Sequence, residues 1–319
     1  MKMTKLYEPF YRLTIEPTEC EREIIGSRPF KRLAHLHHYG AAALRTPVTH
    51  SRYEHTIGVW SLTAHFFPSD QLLRLVALLH DIGHLPFSHA VEQPLGFNHH
   101  LLTERLIESQ EVAKILKKHG FTPQDVIRRL NENTPVSNQE KLLSLDHLDS
   151  FLRDTTLAGT CSLIPHESLG RLSVRGNGIE TDEETALLLA SCIVKDHELF
   201  LDPFNLAMDA LLAEAITLYM ADKPLVSMEN IPHMTDDEVL TLLRGSWNKK
   251  VHAHLKLLFS QQPTLVQTDD ESSAKLTVTV RKVYEDRPLI RHGTAKGREM
   301  VEKKLAELQE LKGRFSFVY

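Results

Sequence analysis

Histidine and acidic residues are concentrated in one short stretch of the chain. Residues 80–89 read HDIGHLPFSH and place His80, Asp81, His84 and His89 within ten positions. Imidazole nitrogens are common metal ligands that titrate near neutral pH, and carboxylates add harder oxygen ligands. Two imidazoles and two carboxylates around one ion suit Mn, Fe, Zn, Ni or Co, or Mg when phosphate supplies further oxygens. The stretch therefore predicts a site for a divalent metal ion or a phosphate group.

Two residues far from this stretch complete the candidate set. His55 lies on the preceding predicted helix, and Asp146 lies in the later segment SLDHLDSFLRD. A single His-Asp pair is weak evidence, because a histidine on an apolar face more often packs in the core. The combination of His55, His80, Asp81 and Asp146 favours a metal or phosphate site. Four protein ligands leave one or two positions for water or a phosphoryl oxygen, as catalytic sites require.

Five segments in the right order resemble the HD-domain phosphohydrolases, in particular their deoxyguanosinetriphosphate triphosphohydrolase-like branch, which acts on dNTPs. The resemblance covers roughly residues 8–220 and rests on FKRLAHLHHYG (30–40), HSRYEHTIGV (50–59), HDIGHLPFSHAVE (80–92), NHHLLTE (98–104) and LDHLDSFLRDTTLAGT (145–160). It implies a mainly α fold, an HD-domain helical bundle followed by a small mixed α/β C-terminal part. It also implies a metal-dependent phosphohydrolase and, by analogy, a homo-oligomer.

Carried over position by position, the resemblance assigns roles to individual side chains. The implied metal ligands are His55, His80, Asp81 and Asp146. The implied catalytic residues are His84, His89, Glu92 and His99, with His89 backed by Glu92 as the candidate general acid–base. The implied substrate-binding residues are Arg52 for phosphate, Asp154 near the sugar, and His38, Tyr39, His147 and Ser150. A nearby imidazole that shuttles a proton typically contributes about 10²–10⁴-fold to such reactions.

The sequence departs from this branch where the nucleoside is read. The usual Gln-Leu-Gly is His38-Tyr39-Gly40 here, a Lys is replaced by His147, and a Tyr is replaced by Ser150. The reaction class is therefore better determined than the substrate, which is a dNTP, a modified nucleotide, a nucleoside monophosphate or another phosphoester. The first alternative is a phosphodiesterase or nuclease acting on cyclic nucleotides or single strands. The second is a nucleotide-sensing protein without catalysis.

The periodicity of the chain predicts the elements that must position these residues. Ser51 and Glu54 form a capping-box pattern before a helix over 51–66, and an apolar helix spans 70–81. Further helices are expected near 98–109, 111–118, 123–131, 138–157, 182–221 with a break at Asp202-Pro203, and 296–312. A hairpin is expected over 171–180 and a strand over 276–280. The predicted division is a helical phosphohydrolase domain over 1–223 and a smaller mixed region over 224–319.

Composition limits the remaining possibilities. The 319 residues are 42% hydrophobic and 25% charged, with a net charge of −5, which argues against a surface built to bind nucleic acid but leaves a local basic groove open. Three cysteines without a C-x-x-C pair are expected to be reduced and buried. No apolar leader and no uninterrupted apolar run of membrane length is evident, so a cytoplasmic protein is expected, without a membrane.

A few other polar residues have less specific interpretations. Asp149 is expected to orient a neighbour or to form a salt bridge with Arg153. The Asp196-His197-Glu198 run is interpreted as a solvated helix face. His252 and His254, two positions apart, are interpreted as surface residues.

Overall fold

Helices form most of the structure, and three small sheets complete it. The computed structural model describes residues 5–222, 224–260 and 265–319. The α-helices in these ranges are α1 (Glu19–Gly26), α2 (Arg28–Arg32), α3 (Arg52–Phe66), α4 (Gln71–Leu79), α5 (His99–Ile107), α6 (Gln110–Lys118), α7 (Pro123–Leu130), α8 (Leu145–Leu157), α9 (Pro165–Ser168), α10 (Glu183–Phe200), α11 (Pro203–Ala221), α12 (Asp236–Arg244), α13 (Lys249–Phe259) and α14 (Ala295–Ala306). The predicted mainly α fold is confirmed.

The strands form three separate sheets. They are β1 (Leu6–Glu8), β2 (Leu13–Ile15), β3 (Ser173–Arg175), β4 (Gly178–Thr181), β5 (Val266–Thr268), β6 (Leu276–Val280), β7 (Leu289–Ile290) and β8 (Gly313–Val318). β1 pairs with β2, β3 pairs with β4, and β8 lies between β5 and β6, all antiparallel. β7 joins the second sheet parallel to β4. The predicted hairpin and the predicted strand over 276–280 are both present.

The two helices that precede the His-Asp pair begin at side-chain caps. The Ser51 hydroxyl accepts from the Glu54 backbone N–H, and the Glu54 carboxylate accepts from the Ser51 N–H at 2.7 Å, so the predicted capping box starts α3. The Asp70 carboxylate accepts from Leu73 N and starts α4. α4 ends at Leu79, so His80 and Asp81 directly follow the helix.

Glycine at position 83 is required by the chain that crosses behind this turn. A Cβ atom on Gly83 would lie 2.1 Å from the backbone nitrogen of Thr103 in α5. The Gly83 N–H donates to the Thr103 hydroxyl, which in turn donates to the His80 carbonyl. The close approach fixes the segment that follows α4 against α5.

The apolar core that carries the site is built around α3 and α4. Both helices are buried on nearly every side, and α4 packs against α3 with α1, α6 and α7 around them. α8 packs on another side of α3 and contributes Leu148 and Leu152 to a second apolar cluster with α10. α3 is therefore held between the elements that carry the other candidate ligands.

The C-terminal elements pack directly on the helical body. α14 lies along α10, and β6 lies along α11. β7 extends the hairpin sheet, with Leu289 opposite Glu180. The predicted division into 1–223 and 224–319 stays a prediction, and these contacts join the two parts closely.

Two predicted helices differ from the observed ones. The helix expected over 138–157 begins only at Leu145, because the Ser144 hydroxyl caps it and the Asn138 side chain donates to Leu142 and Asn177 carbonyls in the preceding loop. The helix expected over 296–312 ends at Ala306 and continues as a 3₁₀ turn over Glu307–Leu311.

The surface interpretation of His254 is wrong. His254 is buried, its Nδ1 lies 2.7 Å from the Lys250 carbonyl and its Nε2 lies 3.1 Å from a Glu214 carboxylate oxygen. His252, by contrast, is exposed as expected. Of the three cysteines, Cys20 and Cys192 are buried and Cys161 is half-buried, all as free thiols.

One helix, α11, is long and apolar enough to cross a membrane when judged by length and composition alone. Its mean hydropathy over an 18-residue window is 1.3, and 44% of that window is buried. Met208, Leu211 and Leu212 of this helix lie in the largest apolar cluster. Helices at the core of globular proteins commonly share these properties.

A buried ion pair links α1 to α4. The Glu21 carboxylate accepts from Arg74 Nε and Nη2, both at 2.8 Å, and from Trp60 Nε1 at 2.9 Å. All three side chains are buried. Removing one partner of such a pair leaves an uncompensated charge in the core, which costs about 3–5 kcal/mol.

We therefore expect Glu21→Ala to lower the free energy of unfolding by about 3–5 kcal/mol, measured by equilibrium urea denaturation. Glu23→Ala removes a surface contact to Lys118 and is the matched control, with an expected effect of at most about 1 kcal/mol. Equal effects of the two substitutions would show that the buried pair contributes no more than the exposed one.

Candidate active site

Three helix ends bring the four predicted metal ligands together. His55 lies in the first turns of α3, His80 and Asp81 follow the last residue of α4, and Asp146 is in the first turn of α8. His55, His80 and Asp81 are buried, and the Asp146 carboxylate is partly open to solvent. The residues are separated by up to ninety-one positions in the chain and meet only because α3 packs against both other helices.

The ligand atoms of this set point at one another. His55 Nε2 lies 3.1 Å from Asp146 Oδ1 and 3.4 Å from His80 Nε2. His80 Nε2 lies 3.7 Å from an oxygen of Asp146 and 3.7 Å from an oxygen of Asp81. His55 Nε2 lies 3.8 Å from the other Asp81 oxygen. One atom from each of His55, His80 and Asp146 falls within a common 4.8 Å span.

The other ring nitrogens of the two histidines are already engaged. His55 Nδ1 lies 2.9 Å from Asp149 Oδ2, and His80 Nδ1 lies 2.8 Å from the Ala77 carbonyl. Both acceptors favour a proton on Nδ1, so that a neutral ring keeps its Nε2 lone pair for the shared centre. Metal-binding histidines are commonly oriented in this way. The donor set fits a divalent ion.

Charge at the centre also favours a cation. Burial alone would lower the pKa of His55, but hydrogen bonds to Asp146 and Asp149 raise it to about 9. Burial would raise the pKa of Asp81, but the neighbouring His80 and Arg52 hold it well below its usual range. The carboxylates thus remain ionised, and they stabilise positive charge where the Nε2 atoms converge.

Asp149 acts as predicted, and on two partners. Its carboxylate accepts from Arg153 Nε at 3.0 Å and Nη2 at 2.8 Å while it holds the His55 ring. Burial would raise the pKa of Asp149, but the Arg153 charge keeps it well below the usual range. The carboxylate is therefore a fixed negative charge directly behind His55.

Arg52 is bound on three sides by the protein. Its Nη1 donates to Asp81 at 2.6 Å, its Nε donates to the Ser88 hydroxyl at 2.9 Å, and its Nη2 lies 3.4 Å from the His38 carbonyl. The guanidinium is buried beside the ligand cluster. It places a fixed positive charge beside Asp81.

The predicted catalytic residues form a second histidine cluster beside the first. The rings of His84 and His99 stack with centroids 4.4 Å apart, and the His89 ring lies edge-on to both at 4.8 and 5.1 Å. Glu92 accepts from His89 Nδ1 at 2.9 Å, and its other oxygen lies 2.7 Å from His99 Nδ1. Nε2 of His84 lies 3.8 Å from Asp81, so the two clusters adjoin.

These imidazoles differ in exposure and protonation. His84 is buried, and burial together with the Arg52 charge lowers its pKa well below the usual value. The side chain of His89 is 45% exposed, and desolvation and the Arg52 charge lower its pKa despite the hydrogen bond to Glu92. A neutral imidazole that is open to solvent and oriented by a carboxylate is suited to accept and return a proton.

The predicted substrate-binding residues fall into two groups. His38 and Asp154 are buried next to His50, and Tyr39 is buried with its ring against Phe200. His147 and Ser150 are half-buried on α8. Ser150 is four residues from both Asp146 and Asp154, so all three share one face of that helix.

Three neighbours of the site have no assigned role in the sequence-based prediction. His50 lies 3.4 Å from Asp154, although it stands inside the HSRYEH motif that carried the resemblance. Asp196 is buried against Asp154, so the interpretation of 196–198 as a solvated face is wrong for Asp196 and His197. Asp286 hydrogen-bonds the His147 ring from the C-terminal part, and no local sequence signal marks it.

Asp236 holds the loops beneath the site in place. Its carboxylate accepts from the backbone N–H of His37 and of Phe87, and contacts His37 Nδ1, all at 2.7 Å. Phe87 and Ser88 have positive φ angles of 56° and 55°, which is unfavourable for side chains other than glycine. The buried carboxylate, one residue into α12, stabilises this strained turn next to Arg52.

Comparison with known proteins identifies the family of this chain. Residues 52–223, more than half of the chain, match the HD domain family. The uncharacterized protein YdhJ of Bacillus subtilis is 31% identical over 261 residues, covering 78% of this chain and 77% of that protein. The deoxyguanosinetriphosphate triphosphohydrolase-like protein of Pelagibacter ubique is 32% identical over 150 residues, 42% of this chain and 40% of that protein. For several other curated relatives, the chain spans about half of their length or less.

A solved structure has the same fold along nearly the whole chain. The phosphohydrolase BT4208 of Bacteroides thetaiotaomicron superposes with a TM-score of 0.74 over 99% of both chains at 15% identity. Fold, family match and ligand cluster together define a metal-dependent phosphohydrolase. The chain belongs to the HD-domain family. The predicted HD-domain family is confirmed, whereas the deoxyguanosinetriphosphate triphosphohydrolase-like branch and the residue-by-residue roles stay predictions.

The contact between His37 and Asp236 predicts a pH dependence of stability. The hydrogen bond to Asp236 raises the pKa of His37 above its ordinary value of 6.5. A raised folded-state pKa stabilises the protein fully below the ordinary value, and this stabilisation is lost as the pH rises through the folded-state value.

We expect the free energy of unfolding of the wild type to exceed that of His37→Gln by more at about pH 5.5 than at about pH 9. Urea denaturation in the presence of a chelator measures both differences. His35→Gln, at an exposed position two residues earlier, is the control and should show no such change. A constant difference for His37→Gln across this range would contradict a charged His37.

Proposed function

We propose that this protein is a metal-dependent nucleotide phosphohydrolase with dNTP triphosphohydrolase-like activity. One observation carries the proposal. Two imidazole Nε2 atoms and the carboxylates of Asp81 and Asp146 converge within 3.1–3.8 Å, directly beside an exposed histidine oriented by a glutamate. Binding of an ion alone would not require the adjacent imidazoles of His84, His89 and His99, whereas hydrolysis of a phosphate requires a group that transfers a proton.

The proposed ligands of the ion are His55, His80, Asp81 and Asp146. When bound, a divalent ion polarises a phosphoryl group and lowers the pKa of water. The chain's own contribution is orientation, since Asp149 fixes the His55 ring and the Ala77 carbonyl fixes the His80 ring. The side of the centre next to Asp146 is the one open to solvent, because the Asp146 carboxylate is 21% exposed whereas both imidazoles are buried.

Phosphate recognition is assigned to the cationic and imidazole groups around this opening. Arg52 carries a permanent positive charge, and ionised phosphate oxygens accept hydrogen bonds from guanidinium N–H groups. His84, His89 and His99 add imidazole N–H donors for the developing charge on oxygen. His89 moves the proton at its Nε2 atom, while Glu92 holds Nδ1 and keeps the ring in place.

The proposed preference for a deoxynucleotide rests on one relative and on a sequence resemblance. The name of the Pelagibacter relative and the resemblance of residues 80–92 point to dNTPs. His38, Tyr39, His147, Ser150 and Asp154 are the candidate contacts to the nucleoside, and the first four replace the usual residues of that branch. We propose that these positions select a base or sugar different from the one read by close members.

A panel of substrates tests the proposed reaction. The purified protein, loaded with Mn, Mg, Co or Fe, is incubated with dNTPs, nucleoside monophosphates, cyclic nucleotides and a fluorescent single-stranded oligonucleotide. We expect release of triphosphate or phosphate from a nucleotide. Cleavage restricted to cyclic nucleotides or the oligonucleotide would establish the phosphodiesterase or nuclease alternative. No turnover by folded, metal-loaded protein would favour nucleotide sensing.

His89→Ala should separate proton transfer from metal binding. We expect turnover to fall by about 10²–10⁴-fold, while the metal content per chain measured by elemental analysis stays unchanged. His65→Ala, an exposed histidine on α3, is the control and should retain both properties. A parallel loss of turnover and metal would assign His89 to the metal site instead.

Asp149→Asn should weaken metal binding without removing a ligand. The neutral amide no longer stabilises a proton on His55 Nδ1 as a carboxylate does, and loss of such an orienting partner typically costs about 10–100-fold in metal affinity. Competition with a chromogenic chelator measures the affinity. Asp125→Asn, at a partly exposed position on α7, is the matched control. Unchanged affinity in Asp149→Asn would mean that packing alone orients His55.

A further inference from the structure

We propose that the chain holds a second divalent cation, bound by His38, His50, Asp154 and Asp196 next to the first site. The proposal concerns binding of the ion and does not depend on which substrate the protein hydrolyses. None of the four residues belongs to the ligand set assigned above.

Four separate elements bring these side chains together. His38 and His50 lie on facing segments, where the His38 N–H donates to the His50 carbonyl at 3.0 Å. Asp154 lies in α8, and Asp196 lies in α10, which packs against it. The four residues are 3–8% exposed. The cluster is therefore a feature of the tertiary fold and not of one acidic or histidine-rich segment.

The distances in the cluster suit a shared ion better than direct hydrogen bonds. His50 Nε2 lies 3.4 Å and His38 Nδ1 lies 3.7 Å from Asp154 Oδ1. One ligand atom from each of the three residues falls within a common 4.8 Å span. An ion about 2.0–2.2 Å from each of several tetrahedral ligands places those ligands about 3.3–3.6 Å apart. The observed spacing is close to that value without any rearrangement of the backbone.

The polar atoms of the cluster are unsatisfied. Among the described residues, buried atoms without a hydrogen-bond partner include His38 Nδ1, both ring nitrogens of His50, and one carboxylate oxygen of each of Asp154 and Asp196. Five such atoms in one place are exceptional, because buried polar groups without partners cost free energy. Both nitrogens of the His50 ring lack a hydrogen-bond partner although the ring is buried, which supports a bound cation beside this ring.

The charges are consistent with a cation between them. Burial raises the pKa of Asp196, and the adjacent Asp154 raises it further. Burial lowers the pKa of His50 to about 4, so its ring is neutral and keeps a lone pair for coordination. A bound dication would offset the negative charge of both carboxylates. The alternative is a proton shared by the two carboxyl groups.

The donor set indicates the class of metal. Two imidazole nitrogens and two carboxylate oxygens suit Zn, Mn, Fe, Co or Ni, whereas Ca and Mg prefer oxygen ligands. Because all four donors are buried, the ion would have a positioning function. The His38 ring lies 4.5 Å from the His55 ring, so an ion here fixes the wall of the first site. It would also leave His147 and Ser150 as the more open positions for substrate contact.

Metal stoichiometry in site-specific variants tests the proposal. The 319-residue protein is stripped with chelator, reloaded with Co²⁺ or Mn²⁺, desalted and measured by elemental analysis. We expect two ions per wild-type chain, one in His50→Phe and one in Asp146→Asn. The double variant should bind none. Phenylalanine is close in size to histidine and cannot coordinate, and thermal unfolding of each variant reports folding.

A second variant distinguishes loss of the ion from loss of folding. Asp196→Asn keeps the shape of the side chain and can still hydrogen-bond to Asp154, and it should weaken or abolish the second ion. Titration of the apo wild type with Co²⁺ should also show two successive changes in the visible absorption bands. One ion per wild-type chain, lost in Asp146→Asn and retained in His50→Phe, would overturn the proposal and assign a shared proton to the carboxyl pair. Two ions retained in both His50→Phe and Asp196→Asn would also overturn it.

Discussion

The site depends on the contact between α3 and α8 at Gly58. A Cβ atom at this position would lie 2.1 Å from Asp149 Oδ1 and 2.4 Å from Arg153 Nη2. The absence of a side chain at Gly58 leaves the space that the Asp149–Arg153 ion pair occupies. In this position Asp149 reaches the His55 ring, one turn earlier on α3. Asp146, which belongs to the metal-capable cluster, lies one turn before Asp149 on α8.

Positively charged partners offset the free-energy cost of burying the carboxylates of Asp149 and Asp81. Arg153 neutralises Asp149 and also reaches Glu8 at the N-terminal hairpin, at 3.3 Å. Arg52 neutralises Asp81 and also donates to the Ser88 hydroxyl and the His38 carbonyl, which uses three of its five N–H groups. Each buried ion in the cluster is therefore paired and hydrogen-bonded, as low-dielectric surroundings require. Rigidity follows, because no member can move without leaving a neighbour unpaired.

The sequence predicts the elements near the site well and the tertiary contacts poorly. The capping box at Ser51, the break at Asp202-Pro203 and the hairpin at 171–180 are local features, and all are present. The late start of α8 depends on the Asn138 side chain reaching Asn177, which local pattern does not contain. Asp196 was indistinguishable from a solvated acid in sequence, because its burial depends on how α10 packs against α8. Asp286 reaches His147 across 139 positions and carries no motif.

Two neighbouring histidine clusters show how one residue type can be adapted to different tasks. At the first cluster, the Asp149 carboxylate holds Nδ1 of His55 and the Ala77 carbonyl holds Nδ1 of His80, so both Nε2 atoms share one centre. Around His38 and His50, three ring nitrogens have no hydrogen bond, and two acids of raised pKa face them. In the first cluster both Nδ1 atoms have a protein acceptor, whereas the second cluster requires a further ion or proton to satisfy its buried atoms. Because the His38 and His55 rings are in contact, whatever occupies the second cluster sets the position of a ligand in the first.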